Sequence, residues 1–300
     1  MIAVVAVVLG AGVAGMAAGR RWTGSARAAR GVLAAMLYVL FPVVTFANVA
    51  HLRLTTQIGV GLGLAYASLA VTGLAGWFLG ARVLHLERPQ TGALICAGLL
   101  ANTGYLGLPL TAALLGSRQL PVAVLYDQIV SGPTLLIAGF GVGAAFGTRA
   151  GEGAAQRVRS FAARNPPLVA LVAGLVAGPA LAPPWLLDVS HAIVLALLPL
   201  GFLAVGVNLA AHGRPAAGGG PALAGAVGLR LVVAPLVLLG LSRAVLGVPD
   251  AYRLQSAMPT AVNSLVVAHA YGLDLPLAAA AIGWSTGLVL AGGLAASLLL

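Results

Sequence analysis

The sequence predicts an all-α membrane protein whose ten transmembrane helices divide into two halves of five with opposite orientation. Of its 300 residues, 60% are apolar and only 7% are charged, whereas a typical soluble domain has about 25% charged residues. The mean hydropathy is +1.04. At about 20 residues per crossing, ten helices use about 200 residues. The remainder suffices for connections but leaves no room for a separate soluble domain.

Ten apolar runs are separated by positions where charge, proline or glycine clusters interrupt the sequence. The runs are apolar all round rather than alternating, which favours helices over the strands of a closed barrel. Arg20 and Arg21 follow the first run and no basic region precedes it, so we interpret it as a retained helix rather than a signal peptide. The predicted spans are 1–19, 31–50, 58–80, 91–115, 120–147, 165–182, 186–210, 221–247, 251–271 and 276–299.

The arginines predict the topology, because the loops alternate between the two sides of the membrane and cytoplasmic loops hold the excess of basic residues. Four arginines fall on one side, namely Arg53, Arg118, Arg243 and Arg253, and Arg230 falls inside a span. The other eleven of the sixteen are Arg20, Arg21, Arg27, Arg30, Arg82, Arg88, Arg149, Arg157, Arg159, Arg164 and Arg214. Their side is therefore predicted to be the cytoplasm. Both termini of this multi-pass inner (plasma) membrane protein then lie outside the cytoplasm.

The longest polar connection, residues 148–164, divides the chain near its midpoint. The predicted organisation is a first five-helix repeat over 1–147, a cytoplasmic linker over 148–164 and a second repeat over 165–300. Halves with an odd number of crossings must insert with opposite orientation, as in transporters built from inverted repeats. Weak internal similarity supports this organisation, as between Gly107-Leu108-Pro109-Leu110 and Ala257-Met258-Pro259-Thr260.

The fourth and ninth spans are predicted to be interrupted at Pro109 and Pro259. Proline has no N–H to donate and crowds the carbonyl four residues back. Interrupted helices at corresponding positions of two halves indicate a transport site, because their free N–H and C=O groups must face a cavity. A helix start favours an anion, and Asn102 and Asn263 add neutral hydrogen-bonding groups. The alternative is that glycine and proline only kink or pack these helices.

Two ionisable residues, Asp127 and Arg230, lie well inside predicted spans. Their backbones differ in depth by only about 6 Å, at a rise of about 1.5 Å per residue. Charges in hydrocarbon are costly unless they pair or face water, so the default hypothesis is a functional site. The carboxylate can also serve as the proton acceptor of a coupled carrier. The alternatives are a structural ion pair that braces two helices, or an Asp127 hydrated at the outer interface.

Other chemistries find little support in the sequence. A single cysteine, Cys96, excludes a disulfide framework and a thiolate metal cluster. The five histidines lack the spacing of a metal site. Ser285 lies between glycines but has no evident histidine or lysine partner on a neighbouring span, which disfavours an intramembrane enzyme. The loop arginines are interpreted as topology determinants and lipid-phosphate contacts rather than nucleic-acid binders.

The two proline motifs resemble signatures of the auxin efflux carrier family, whose bacterial members include malate-permease-like proteins and which belongs with the bile-acid and arsenite-type carriers. The matching residues are Asn102-Thr103-Gly104-Tyr105-Leu106-Gly107-Leu108-Pro109-Leu110, and Met258-Pro259-Thr260-Ala261-Val262-Asn263 with Val266-Val267-Ala268 and Tyr271-Gly272. Arg230 before Pro235, Tyr126-Asp127-Gln128 and Asn165-Pro166-Pro167 also fit. The similarity runs from about residue 30 to 295.

The resemblance implies two inverted five-helix repeats whose fourth and ninth helices cross at their breaks. Spans 1, 2, 6 and 7 would form a scaffold, and spans 3–5 and 8–10 a moving transport unit. The implied function is secondary transport of a small carboxylated anion by elevator-type alternating access, with proton coupling as an option and without any cofactor. The implied substrate-binding residues are Asn102, Thr103, Gly104, Pro109, Pro259 and Asn263, with Asp127 and Arg230 balancing charge. A homodimer through the scaffold is a further expectation by analogy.

Three alternatives remain open at this stage. One is a sodium-coupled carrier of a bulkier or neutral solute, with Thr260, Asn263 and Ser264 among the sodium ligands. Another is a non-transporting membrane sensor or partner subunit. The third, an intramembrane enzyme, is disfavoured because no acid/base pair or nucleophile dyad is visible.

Overall fold

The structure is a computed structural model and describes residues 2–149, 153, 156, 159, 165–211 and 220–299. Most of the predicted linker, 148–164, lies outside the described residues, as do Arg157, Arg164 and Arg214. The described residues fold into helices with no β-strand, and one isolated bridge pairs Ala101 with Thr260. The all-helical prediction is confirmed for this part of the chain.

We number the helices in chain order and merge the π-helical turns that continue them. The first six are α1 (Ile2–Arg21), α2 (Ser25–Ala50), α3 (Thr56–Val83), α4 (Arg88–Leu99), α5 (103–114) and α6 (Ser117–Phe146). The second six are α7 (Pro166–Ala177), α8 (Pro184–Ala211), α9 (Gly220–Ala244), α10 (Asp250–Ser256), α11 (Asn263–Tyr271) and α12 (Leu275–Leu299).

Seven helices are long and apolar enough to cross a membrane, and α7 is a shorter apolar helix. The seven segments are Ala3–Arg21, Ser25–Ala50, Thr56–Val83, Ser117–Phe146, Pro184–Val207, Gly220–Ala244 and Leu275–Gly292. The prediction of a multi-pass membrane protein agrees with these lengths, since about 20 apolar residues span a bilayer. The predicted fourth and ninth spans are instead each divided into two short helices, α4 with α5 and α10 with α11.

The helices pack in two groups. In the first, α1 runs along α8, and both α7 and α8 contact α2. A Cβ on Gly15 would lie 2.1 Å from the Leu203 carbonyl oxygen, and one on Gly206 would lie 2.2 Å from that of Gly12. Glycine therefore lets the backbones of α1 and α8 touch, as is common in membrane helix pairs. In the second group, α3, α6, α9 and α12 surround α4, whose residues from Thr91 to Leu99 are all buried.

The two interrupted spans cross and bond to each other. Helix α4 ends at Leu99 and α10 ends at Ser256, and the chain that follows each end is extended or irregular. The Asn102 N–H donates to the Pro259 carbonyl at 2.8 Å, and the Ala261 N–H donates to the Leu100 carbonyl at 2.7 Å. Segments 100–102 and 257–262 thus meet as a minimal antiparallel pair.

The first interruption does not lie at Pro109, so that part of the prediction is wrong. Pro109 lies inside α5, just after a π-helical turn, Thr103–Gly107. In this turn the Gly107 N–H donates to the Asn102 carbonyl, five residues back, at 3.0 Å. Because the wider turn relieves the crowding that proline causes in a regular α-helix, the helix continues through Pro109. Pro259, by contrast, does lie within the second interruption.

Candidate functional site at the helix crossing

A cavity of about 180 Å³ lies beside the crossing. One wall comes from α2, through Leu37 and Phe41, and from the start of α7, through Asn165 and Pro167. The other walls come from the crossing itself and from α6, α9 and α11. The cavity therefore lies between the two packing groups of helices. Its polar lining consists of Asn102, Thr103, Tyr105, Tyr126, Asp127, Gln128, Ser131, Thr134, Asn165, Arg230 and Asn263.

Two helices begin at this cavity. The first residues of α5, Thr103 and Gly104, line it, and so does Asn263, the first residue of α11. The first N–H groups of a helix have no partner within the helix. Within the described residues, neither start has a side-chain cap. At the start of α11 the Ser264 and Leu265 N–H groups donate to the Ala261 and Val262 carbonyls. Two helix starts, each with partial positive charge, therefore border one polar space.

Arg230, which also lines the cavity, joins the two helix ends that meet at the crossing. Its side chain is 1% exposed and lies in a π-helical turn of α9, Leu229–Val233. One Nη donates to the Gly98 carbonyl at 3.0 Å, and the other donates to the Ser256 carbonyl. These carbonyls belong to the last turns of α4 and α10. The last carbonyls of a helix lack helical partners and carry partial negative charge, so one guanidinium caps both ends.

Thr260 bonds to a further carbonyl near the end of α4. Its hydroxyl donates to the Ala97 carbonyl at 2.9 Å, and its N–H donates to Ser285 Oγ at 3.0 Å. Both Thr260 and Ser285 are fully buried. Ser285, whose role as a nucleophile the sequence disfavoured, thus joins the second interruption to α12.

Asp127 is tied to the start of α5. Thr103 Oγ1 lies 2.5 Å from Asp127 Oδ1 and 2.8 Å from Ser131 Oγ, and Gln128 Nε2 donates to Asp127 Oδ2 at 3.0 Å. Asp127 is half-buried and opens a π-helical turn of α6, Asp127–Ser131. A Cβ on Gly104 would lie only 3.4 Å from Asp127 Oδ1. The carboxylate is therefore close to the backbone of the α5 start.

Asp127 and Arg230 line the same cavity but are not an ion pair. Within the part of the chain that the structure describes, the one ion pair is between Arg253 and Asp250 at 2.9 Å, on the exposed side of α10. The structural ion pair considered from the sequence is therefore wrong. Arg230 bonds to backbone carbonyls instead, and its Nε has no partner among the described residues.

The cavity brings together six of the predicted site residues and excludes four. Those that line it are Asn102, Thr103, Gly104, Asp127, Arg230 and Asn263. Pro109, Pro259, Thr260 and Ser264 are not part of its lining. The Pro259 carbonyl accepts from Asn102, and the Thr260 and Ser264 hydroxyls donate to carbonyls. Only Asn263 of the three proposed sodium ligands faces the cavity. The described residues contain no cluster of three or more metal-ligating side chains.

Sequence reasoning missed two polar lining residues, Ser131 and Thr134, and noted Tyr105 only within the family signature. Ser131 and Thr134 follow Asp127 by four and seven residues, which is the spacing of one helix face. That spacing within an apolar span was a usable signal. Gln128 and Asn165 were noted only for their family resemblance.

A polar cavity at the crossing of two broken helices, within a helical multi-pass membrane protein, is the arrangement of a membrane transporter. The comparisons with known proteins agree. Residues 157–291 match the family described as membrane transport protein. The chain is 25% identical over 260 residues to an uncharacterised transporter of Methanocaldococcus jannaschii, covering 82% of each. It is 29% identical over 223 residues, 70% of this chain and 68% of the relative, to one of Methanothermobacter thermautotrophicus. These similarities support a membrane transporter of this family and agree with the resemblance stated from the motifs.

Proposed function

We propose that the protein is a secondary carrier that moves a small organic anion, a carboxylate, across the inner membrane by elevator-type alternating access. The observation that carries the proposal is the pair of helix starts, α5 and α11, at one cavity. Backbone N–H groups and the positive end of the helix dipole together favour an anion. The amides of Asn102 and Asn263 flank these starts and can donate further hydrogen bonds to a carboxylate.

The charge around the cavity supports a substrate that is negative and small. Arg230 brings a full positive charge to the wall, and each helix start adds about half a charge. Asp127 opposes them with one negative charge when it is ionised. A cavity of about 180 Å³ suits a carboxylate of a few carbon atoms better than a bulky solute. Since the relatives are transporters, we propose no enzymatic activity.

The proposed architecture is ten spans in two inverted repeats, over 1–147 and 165–300. The fourth span is α4 with α5, and the ninth is α10 with α11. The Asn102 N–H donates to the Pro259 carbonyl, and the Ala261 N–H donates to the Leu100 carbonyl. An operation that exchanges the two interruptions turns each of these hydrogen bonds into the other. This reciprocity is expected of halves related by a two-fold axis, and it supports the repeat assignment.

We propose that α1, α2, α7 and α8 form the scaffold and that the remaining helices form the unit that moves. The close contact of α1 and α8 at Gly15 and Gly206 favours a rigid scaffold. Because the cavity lies between the two groups, sliding of one along the other would carry the substrate across. A homodimer through the scaffold, with both termini outside the cytoplasm, completes the proposal.

Asp127 is the proposed proton carrier. Thr103 joins its carboxylate to the start of α5, so an ionised Asp127 and a bound carboxylate would place two negative charges at the same helix start. Like charges close together in a membrane are costly. Protonation of Asp127 would remove this repulsion, and anion and proton would then cross together.

The test is uptake into liposomes that contain the purified protein, with radiolabelled acetate, lactate, pyruvate, succinate and malate as probes. We expect saturable uptake of at least one probe that increases with an inward proton gradient. Uptake that follows a sodium gradient instead would favour the sodium-coupled alternative. The carrier proposal is wrong if none of the carboxylates is transported and an Asn102→Ala/Asn263→Ala variant retains the wild-type function in cells. That result would favour a non-transporting membrane sensor or partner subunit.

A further inference from the structure

We propose that Arg230 is a resident cation at the crossing, which takes the place of a coupling metal ion between the two helix ends. The inference goes beyond the proposed function because it concerns the two helix ends that Arg230 joins, although the Arg230 side chain also lines the cavity of the anion site. It assigns Arg230 as a positioning residue that holds α4 and α10 together. Coupling to sodium at this point would then be unnecessary.

The charge balance is the first argument. Each helix C-terminus carries about half a negative charge, so α4 and α10 together present about one. The guanidinium supplies one positive charge and contacts both ends, at the carbonyls of Gly98 and Ser256. The described part of the chain gives Arg230 no carboxylate partner. The two helix ends are therefore its counter-charge.

Geometry is the second argument. The guanidinium is a planar fork of fixed N–H donors, which can bond two acceptors at once, whereas a lysine ammonium acts as a point charge. The two acceptors are 158 residues apart in sequence, at positions 98 and 256, and come from the two interrupted spans. Since α4 and α10 lead directly into the cavity wall, Arg230 sets the relative position of the two helix starts that follow.

The third argument is that several other carbonyl oxygens at the crossing already accept hydrogen bonds. The Ala97 carbonyl accepts from Thr260, the Leu100 carbonyl from the Ala261 N–H, and the Ala261 carbonyl from Ser264. A hard cation needs several oxygen ligands at once. To bind one here, the chain would have to break bonds that it already makes between buried groups.

A first experiment needs no variant and no substrate. The purified wild-type protein in detergent is melted in sodium chloride, potassium chloride and choline chloride at equal ionic strength. We expect the same melting temperature in all three salts. An ion that binds only the folded state raises the melting temperature with its concentration. A saturable rise specific to sodium would therefore overturn the proposal.

A second experiment replaces the resident cation. We expect Arg230→Ala to melt about 10 °C below the wild type, because a buried charge partner of two helix ends is lost. Guanidinium chloride at millimolar, non-denaturing concentration should restore part of this loss, since the free ion can occupy the vacated space. The matched control is Arg253→Ala on α10, whose guanidinium is exposed and pairs with Asp250. It should melt near the wild type and not respond to guanidinium.

Two further outcomes decide the matter. If guanidinium affects Arg230→Ala and Arg253→Ala alike, Arg230 is not a replaceable cation and the proposal fails. If Arg230→Ala cannot be purified, Arg230→Lys takes its place. We expect the melting temperature of Arg230→Lys to lie between that of the wild type and that of Arg230→Ala, with the alanine variant assayed in membranes. A wild-type melting temperature for Arg230→Lys would contradict the claim that the forked guanidinium is needed. These measurements require no transported substrate, so failure of the anion-carrier proposal would be seen separately.

Discussion

The two sides of the helix crossing differ in what bonds to the backbone. On the side where α4 and α10 end, the carbonyls of Ala97, Gly98 and Ser256 accept hydrogen bonds from Thr260 and Arg230. On the side where α5 and α11 begin, Asn102 and Asn263 face a cavity. The chain therefore satisfies carbonyls at the negative helix ends with its own side chains and places the two positive helix starts beside the cavity, where Ser264 and Leu265 of α11 already donate to carbonyls. The contrast favours an anion as the ligand.

The two interruptions also use threonine differently. Thr260 lies within the second interruption and bonds across to the Ala97 carbonyl. Thr103 follows the first interruption and bonds to Asp127 and Ser131 in α6. The second half thus closes the carbonyl side, whereas the first half connects the open side to a carboxylate. The backbone hydrogen bonds between the two interruptions are reciprocal, but the side chains of the two threonines make different contacts.

The largest expected effect follows from neutralising the carboxylate on the open side. We expect Asp127→Asn to abolish the stimulation of uptake by an inward proton gradient, because a side-chain amide, unlike a carboxylate, does not take up a proton. Exchange of labelled for unlabelled substrate should persist, since the amide oxygen can still accept from Thr103. The measurement is uptake and counterflow in liposomes. Asp188→Asn, at an exposed position of α8, is the control and should keep gradient-driven uptake. Persistent stimulation in Asp127→Asn would remove Asp127 from the coupling mechanism.

The next effect concerns the two amides on the open side. A hydrogen bond to a charged group is worth about 1.5–3 kcal/mol, so Asn102→Ala and Asn263→Ala should each weaken carboxylate binding about 10-fold. The double variant should lose about 100-fold if the two act independently. Binding is measured by ligand-dependent melting or by the KM of uptake.

The control for the amide variants is Asn48→Ala. Asn48 is buried and its amide donates to the Val44 carbonyl and to Ser190 Oγ, between α2 and α8. Its loss should lower the melting temperature without changing the affinity of the folded protein. If the Asn102 and Asn263 variants also change only the melting temperature, the two amides are structural and do not bind the substrate.

A smaller effect, on stability alone, is expected on the closed side. Thr260→Val keeps the shape but leaves the buried Ala97 carbonyl without its donor, which costs about 1–3 kcal/mol and lowers the melting temperature by several degrees. Affinity for the carboxylate should stay within about 2-fold, under about 0.5 kcal/mol. Thr111→Val is the matched control, because its hydroxyl donates to the Gly107 carbonyl of its own helix. Equal decreases in melting temperature in both variants would show that the hydrogen bond across the crossing stabilises the fold no more than one within a single helix.

The sequence predicted which spans are interrupted, because proline, glycine and asparagine close together in an apolar run disfavour a continuous helix. It misplaced the first interruption, since the bond from Asn102 to Pro259 and the π-helical turn before Pro109 depend on contacts between distant segments. The partner of Arg230 was also misjudged. Sequence reasoning searches for a carboxylate such as Asp127, whereas backbone carbonyls are present at every residue and leave no mark in the sequence. Asn102, Asp127, Arg230 and Asn263 were found because amide and charged side chains are unusual in a membrane span, whereas Thr103 and Gly104 were predicted from the family resemblance.

The smallest expected effect tests how closely the open side fits its ligand. A Cβ on Gly104 would lie 3.1 Å from Phe41 Cζ and 3.4 Å from Asp127 Oδ1, so Gly104→Ala should narrow the cavity slightly. We expect the KM for succinate or malate to rise about 3-fold, equivalent to about 0.6 kcal/mol, and that for acetate to change less. Gly63→Ala, on α3 where an added Cβ meets open space, should alter neither. An equal rise for acetate and malate would mean that Gly104 matters for the backbone of α5 rather than for the size of the substrate.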